Sequence, residues 1–182
     1  MRRFLSSVLE VFEIAVIAVG AVFIIRTFLV QPFLVSGASM APSFMDGDYL
    51  LIDELTYRVR EPNRGEVAVF RSPQEEEIYF IKRIIGLPGE RIKIENGVIR
   101  IFSAEEPKGF VLDEEYIKKE IPTIGSVDVT LSTKQYFVLG DNRAYSYDSR
   151  QWGLLDDKKI IGLVRLRLWP PKNATVFAAP QY

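Results

Sequence analysis

From Phe4 to Val30 the chain reads FLSSVLEVFEIAVIAVGAVFIIRTFLV, with an uncharged centre from Ile14 to Ile25 bracketed by Glu13 and Arg26. A membrane span needs roughly 20 apolar residues at about 1.5 Å rise each. The run reaches that length when Glu10 or Glu13 lies at one headgroup layer and Arg26 snorkels to the other. The pattern predicts a transmembrane helix ending before Pro32, because the residue preceding a proline is pushed out of the α region. Arg2 and Arg3 precede the run, and no Lys or Arg occurs between Val30 and Arg58. By the positive-inside rule the amino terminus is then cytoplasmic and everything after the span extracytoplasmic. Ser36-Gly37-Ala38 would also suit a signal peptide cut after Ala38. Phe28, Leu29, Val30, Phe33 and Leu34 prolong the apolar character beyond an ordinary signal sequence.

Past Pro32 the periodicity changes. Asp48–Ile52, Glu66–Phe70 and Glu77–Ile81 are short runs rich in β-branched and aromatic residues, separated by turn formers such as Pro62-Asn63-Arg64-Gly65, and they predict strands. Arg91 to Ile101 alternates on both sides of Asn96-Gly97, the signature of a hairpin closed by a type I′ turn. Further strands are predicted at Val127–Leu131, Tyr136–Leu139 and Ile160–Leu168. Glu105 to Gly125 is charged without firm periodicity and reads as an excursion. The expected architecture is mainly β: an anchor over residues 1–31 and an antiparallel β-sheet domain over 32–182.

Composition narrows the chemistry. The 182 residues suffice for one domain with a proper core. A formal net charge of −1, with basic residues scattered, gives no reason to expect nucleic acid, whose phosphates need a clustered basic surface. There is no Cys and no His. Thiol nucleophiles, disulfides, thiolate zinc sites and the usual histidine base are therefore excluded.

Just after the apolar run stands Val35-Ser36-Gly37-Ala38-Ser39-Met40-Ala41-Pro42-Ser43. A serine hydroxyl needs a positioned base to act as a nucleophile. Without histidine, a neutral lysine leads the candidates, and a lysine loses its proton near neutral pH only when desolvated. Lys82 follows Ile78-Tyr79-Phe80-Ile81 and precedes Ile84-Ile85, whereas Lys158 and Lys159 sit in charged company. Gly140-Asp141-Asn142-Arg143-Ala144-Tyr145-Ser146-Tyr147-Asp148-Ser149-Arg150 gathers hydroxyls, carboxylates and guanidinium groups after an apolar strand. Such a loop could orient a base or simply be an Asx-rich turn.

Together these segments resemble the type I signal peptidase family, the leader peptidases. The resemblance rests on Gln31-Pro32-Phe33 and Ser39-Met40-Ala41-Pro42 after the apolar run, Lys82-Arg83 with Gly86-Leu87-Pro88-Gly89, the segment from Gly140 to Arg150, and Arg165 with Trp169-Pro170. It covers nearly the whole chain, and the order and spacing of the motifs make the set specific. It implies that Ser39 is the acylated nucleophile, Lys82 the general base, and the Ser39 backbone N–H an oxyanion donor. It also implies that Ser146 hydrogen-bonds the lysine, that Asp148 and Arg150 form a buttressing pair, and that Arg83 and Asp141 form a second. Some members carry a serine oxyanion donor two residues before the nucleophile, where this chain has Gly37. Ala144-Tyr145 replaces the more polar pair often found there.

The resemblance further implies exported preproteins as substrates, cut after small-x-small sites such as Ala-x-Ala, with membrane lipid as the other partner and no metal or organic cofactor. Candidates for the walls of a small-residue pocket are Phe33, Val35, Leu51 and Ile81. Ser39 stands nine positions after Val30, so the nucleophile lies within about 30 Å of the end of the span. Two rivals remain at this point: a maturation peptidase using the same dyad, and a membrane-tethered β domain that binds partners without catalysis. A self-cleaving repressor-like protein would lack the anchor and carry a DNA-binding helical region, and this chain meets neither condition.

Overall fold

The structure is a computed structural model, and it describes residues 9–20, 30–117 and 122–178. Residues 9–20 form a helix, α1, and Leu9, Val11, Phe12, Ile14, Val16, Ile17 and Val19 on it are all more than half exposed. No helix among the described residues is long and apolar enough to cross a membrane. The expected span continues over residues 21–29, which lie outside the described residues.

Strands follow in the order β1 Val30–Leu34, β2 Tyr49–Asp53, β3 Val67–Arg71, β4 Tyr79–Gly86, β5 Arg91–Glu95, β6 Val98–Phe102, β7 Phe110–Val111, β8 Val127–Thr130, β9 Gln135–Leu139, β10 Leu155–Asp156, β11 Ile160–Trp169 and β12 Thr175–Val176. Two one-turn helices, α2 Thr56–Val59 and α3 Ser149–Trp152, interrupt them. One sheet has the order β1-β2-β11-β3-β4-β9-β10 with β12 added to β11; the other has the order β7-β6-β5-β8. All pairings are antiparallel. The mainly β expectation is met.

Side-chain alternation explains how the layers form. In β3, Val67 and Val69 enter one apolar cluster with Val35, Met40, Phe44, Leu50, Ile52 and Val164. Ala68 and Phe70 enter a second cluster with Ile84, Tyr136, Val138 and Leu155. Successive strand residues point to opposite faces, so β3 is buried on both sides and its sequence is a continuous apolar run rather than an alternating one. The smaller sheet buries one face only, through Ile92, Ile94, Ile99 and Ile101 against Ile85, Phe137 and Leu139. Its hairpin turns where the sequence places it: Asn96 and Gly97 have φ of 53° and 81°, the left-handed pair a type I′ turn requires.

Two expectations change, and a third gains detail. Extended pairing begins at Val30, where the sequence predicts helix up to Pro32; Gln31 and Pro32 pair with Ile52 and Leu51. Proline is tolerated there because β1 is an edge strand, so its missing N–H costs no interior hydrogen bond. The strand predicted at Glu77–Ile81 starts at Tyr79 and runs on to Gly86. Gln74 and Glu75 donate backbone hydrogen bonds to the Ser72 hydroxyl, and that turn takes up the charged residues before it. The Glu105–Gly125 excursion contains β7 and buries Leu112 and Ile117; residues 118–121 are outside the described residues.

Candidate active site

Lys82 lies in the middle of β4, an interior strand paired with β3 on one side and β9 on the other, opposite Ala68. Its side chain is 3 % exposed. The ammonium donates to the Ser39 hydroxyl at 2.8 Å and to the Ile81 carbonyl at 2.9 Å, and it lies 5.3 Å from the centre of the Phe80 ring. Burial lowers its pKa from 10.5 to about 8, against the opposing pull of Asp148 and Asp141. Desolvation disfavours the charged amine, so the apolar strand supplies the property that a lysine base needs.

Ser39 is carried by the loop between β1 and β2. Met40 and Phe44 plug that loop into the core, and hydrogen bonds close its base from Val35 N to Asp48 O and from Gly47 N to Val35 O. The Ser39 N–H donates to nothing among the described residues and is available to a ligand. Gly37 is committed elsewhere: its N–H donates to Asp46 Oδ1 at 2.8 Å, and its φ of 96° suits glycine. That position adds no free backbone donor beside Ser39.

The loop after β9 forms the other wall. Asn142 donates from its backbone to Ser39 O at 3.0 Å and from its side-chain amide to Ala38 O at 3.0 Å. Arg83 Nε and Nη2 meet the two oxygens of Asp141 at 2.8 and 2.6 Å, both groups buried. Arg150 Nε and Nη2 each lie 2.8 Å from Asp148 oxygens. The Asp148 carboxylate also accepts from Gly140 N and caps α3 in a capping box with Gln151. Both ion pairs that the resemblance implies are formed. The Ser146 hydroxyl is buried but has no hydrogen-bond partner among the described residues, so the contact with Lys82 that the resemblance implies is not made in this arrangement; Ser146 packs over Gly140 instead.

A cleft of about 330 Å³ opens over the two catalytic candidates, and Phe33, Val35, Leu50, Ile81, Tyr145 and Tyr147 are among the residues lining it. Phe33 meets Tyr79 edge to face with ring centres 5.5 Å apart, narrowing the cleft. Three of the four predicted wall residues are present. Leu51 is replaced by Leu50, since the alternation of β2 buries Leu50 and Ile52 on this face and turns Leu51 to the other. A second cavity of about 420 Å³, lined by Phe44, Val67, Arg83, Tyr116 and Phe177 among others, reaches neither Ser39 nor Lys82.

The family model described as "Signal peptidase, peptidase S26" matches residues 8–169. The chain belongs to the signal peptidase family. The peptidase is 37% identical over 160 residues to the probable signal peptidase I-2 of Synechocystis sp., a match covering 85% of this chain and 68% of that one. It is 29% identical over 165 residues to signal peptidase IB of Staphylococcus aureus, covering 85% of each. The crystal structure of a signal peptidase I from Enterococcus faecalis is 28% identical, with a TM-score of 0.48 over 58% of this chain and 97% of that one. The peptidase is a serine endopeptidase, a hydrolase.

Sequence reasoning missed what surrounds Arg143. This guanidinium is 1 % exposed; it donates to Gly140 O at 3.1 Å and Thr123 Oγ1 at 2.6 Å, and it forms a bidentate pair with Glu114. A buried arginine requires a carboxylate. Nothing in a run as acidic as Asp113-Glu114-Glu115 marks which member supplies it.

Proposed function

We propose that the peptidase removes N-terminal signal peptides from exported preproteins, cutting after small-x-small sites with Ser39 as nucleophile and Lys82 as general base. The observation that carries this reading is the 2.8 Å contact between a buried amine and the serine hydroxyl. In its neutral form Lys82 accepts the Ser39 proton as Oγ attacks the scissile carbonyl, and the free Ser39 N–H faces the charge that develops on the carbonyl oxygen. Lys82 then returns the proton to the departing amine, leaving an ester on Ser39 that water hydrolyses with the same lysine as base. The catalytic rate should therefore rise with pH through about 8, the value to which burial lowers the Lys82 amine.

The chain holds this site beside the bilayer through a single anchor spanning the apolar run, with the amino terminus cytoplasmic and the β domain outside. Support comes from the uncovered apolar surface of α1 and from the short path between Val30 and Ser39. Confinement beside a membrane-threaded substrate raises its effective concentration without new contacts. The narrow apolar cleft fits alanine-sized side chains, because a rigid apolar wall resists added volume.

In detergent solution the full chain is expected to cleave a preprotein carrying Ala-x-Ala after the second alanine. Replacing either alanine by leucine should slow cleavage about 10- to 100-fold, corresponding to roughly 1–3 kcal/mol of overpacking. Cleavage by Ser39→Ala, or equal rates on the leucine substrates, would refute the reading.

A further inference from the structure

The described residues of the segment between β7 and β8, 112–117 and 122–126, enter neither the dyad nor the cleft, yet they reach both supports of the dyad from behind. The first support is the loop of residues 140–143, which holds Ser39 and Ala38 by the two hydrogen bonds from Asn142. The second is Arg83, the neighbour of Lys82 on β4, tied to Asp141 and to Gly65 O at 2.7 Å. Glu114 links the two, directly at the first and through Tyr116 at the second. Its two oxygens take the Arg143 guanidinium, which in turn holds Gly140 O. The same carboxylate accepts the Tyr116 hydroxyl at 2.7 Å, and the Tyr116 ring lies 3.8 Å from the Arg83 guanidinium carbon. One carboxylate thus closes a ring running from the loop under Ser39 to the residue beside Lys82.

We infer that Glu114 is a positioning residue for the Ser39–Lys82 pair, acting through Arg143 and Tyr116 as a clamp on the two supports. This rests on the Ser-Lys reading above. The clamp needs rigidity rather than charge at the reacting atoms, because a displacement of about 1 Å between nucleophile and base costs on the order of 100-fold in rate. Asp148 and Asp141, the carboxylates that act on Lys82, are each held by their own arginine. Glu114 is therefore not required to balance the charge around the amine. Loosening the clamp lets water reach Lys82 and restores part of its ordinary basicity.

The test uses the full chain in detergent and the variants Glu114→Ala and Glu114→Gln, beside Ser39→Ala and Lys82→Met. Stability, kcat, KM and the pH dependence of kcat/KM are measured on a preprotein with an Ala-x-Ala site. Glu114→Ala leaves the buried Arg143 unpaired and loses stability; Glu114→Gln keeps the volume and one acceptor, so it decides the question if the alanine variant does not fold. The expected result for folded Glu114→Gln is a kcat lower by about tenfold with KM within twofold, and an acid limb moved upward from about pH 8. A folded Glu114→Gln with wild-type kcat and an unmoved limb, or with only KM raised, overturns the clamp. If Ser39→Ala and Lys82→Met are inactive in that case, the clamp alone falls; if either still cleaves normally, the dyad reading falls and the clamp with it.

Discussion

Replacing Lys82 by methionine is expected to abolish turnover and, at neutral pH, to make the protein more stable. Loss of the general base should lower kcat by about 10²- to 10⁴-fold. The stability gain follows from the side chain being buried and its pKa lying at about 8 instead of 10.5. Below about pH 8 the amine is protonated in both states, and the folded state bears the full cost of keeping the charge out of water. Between about 8 and 10.5 the unfolded chain binds a proton that the folded chain does not, so wild-type stability rises with pH. Above 10.5 both are neutral and the cost is gone. The shift corresponds to roughly 3 kcal/mol at about 1.36 kcal/mol per pKa unit. Loss of the hydrogen bonds to Ser39 and Ile81 offsets about 1 kcal/mol of this, leaving a net gain of about 2 kcal/mol. Denaturant titrations of wild type and Lys82→Met at pH 7 and pH 10.5 should show the variant ahead at the first and the advantage gone at the second. A variant that is less stable at pH 7 would mean that the lysine stabilises the site, contrary to the desolvation argument.

Gly140→Ala is expected to damage fold and catalysis together. A Cβ at this position would lie 2.1 Å from the Ser146 hydroxyl, 2.5 Å from Ser146 Cβ and 2.4 Å from the carbonyl oxygen of Ser39. The last atom is backbone, held in place by the Asn142 N–H, so a change of side-chain rotamer cannot relieve the clash. Either the 140–143 loop or Ser39 must move. Overpacking of this kind costs about 3 kcal/mol, and displacement of the nucleophile should lower kcat by about 100-fold. Adding Ser146→Gly removes the contacts with Ser146 and leaves the one with Ser39 O. The double variant should recover part of the stability but not the rate. Wild-type kcat in Gly140→Ala, or full recovery in the double variant, would show that the loop does not set the position of Ser39.

Lys82 was legible as a candidate base from its local sequence, whereas Ser39 was singled out only by the resemblance. Lys82 interrupts the apolar run of β4, and the absence of histidine leaves few other bases. The hairpin at Asn96-Gly97 was legible because its turn demands positive φ at two successive residues. Long-range choices were not. Glu114 and Thr123 come to Arg143 from residues 29 and 20 positions away along the chain, and no periodicity in that acidic segment singles them out. Leu50 and Leu51 are adjacent and chemically identical; only the register of β2 against β1 and β11 decides which one faces the cleft. β1 was hidden because its residues are as apolar as the run before it and contain a proline, both of which suggested the end of a helix.

The central claim is that Ser39 is the nucleophile and Lys82 its base. The most direct measurement is mass spectrometry of the full chain after reaction with a serine-directed acylating inhibitor, across pH 6 to 10, for wild type and Lys82→Met. The account predicts one adduct, mapped to Ser39, whose rate of formation rises through about pH 8 and falls by at least about 100-fold in Lys82→Met. An adduct on another residue, or Ser39 acylated equally fast without Lys82, would contradict it.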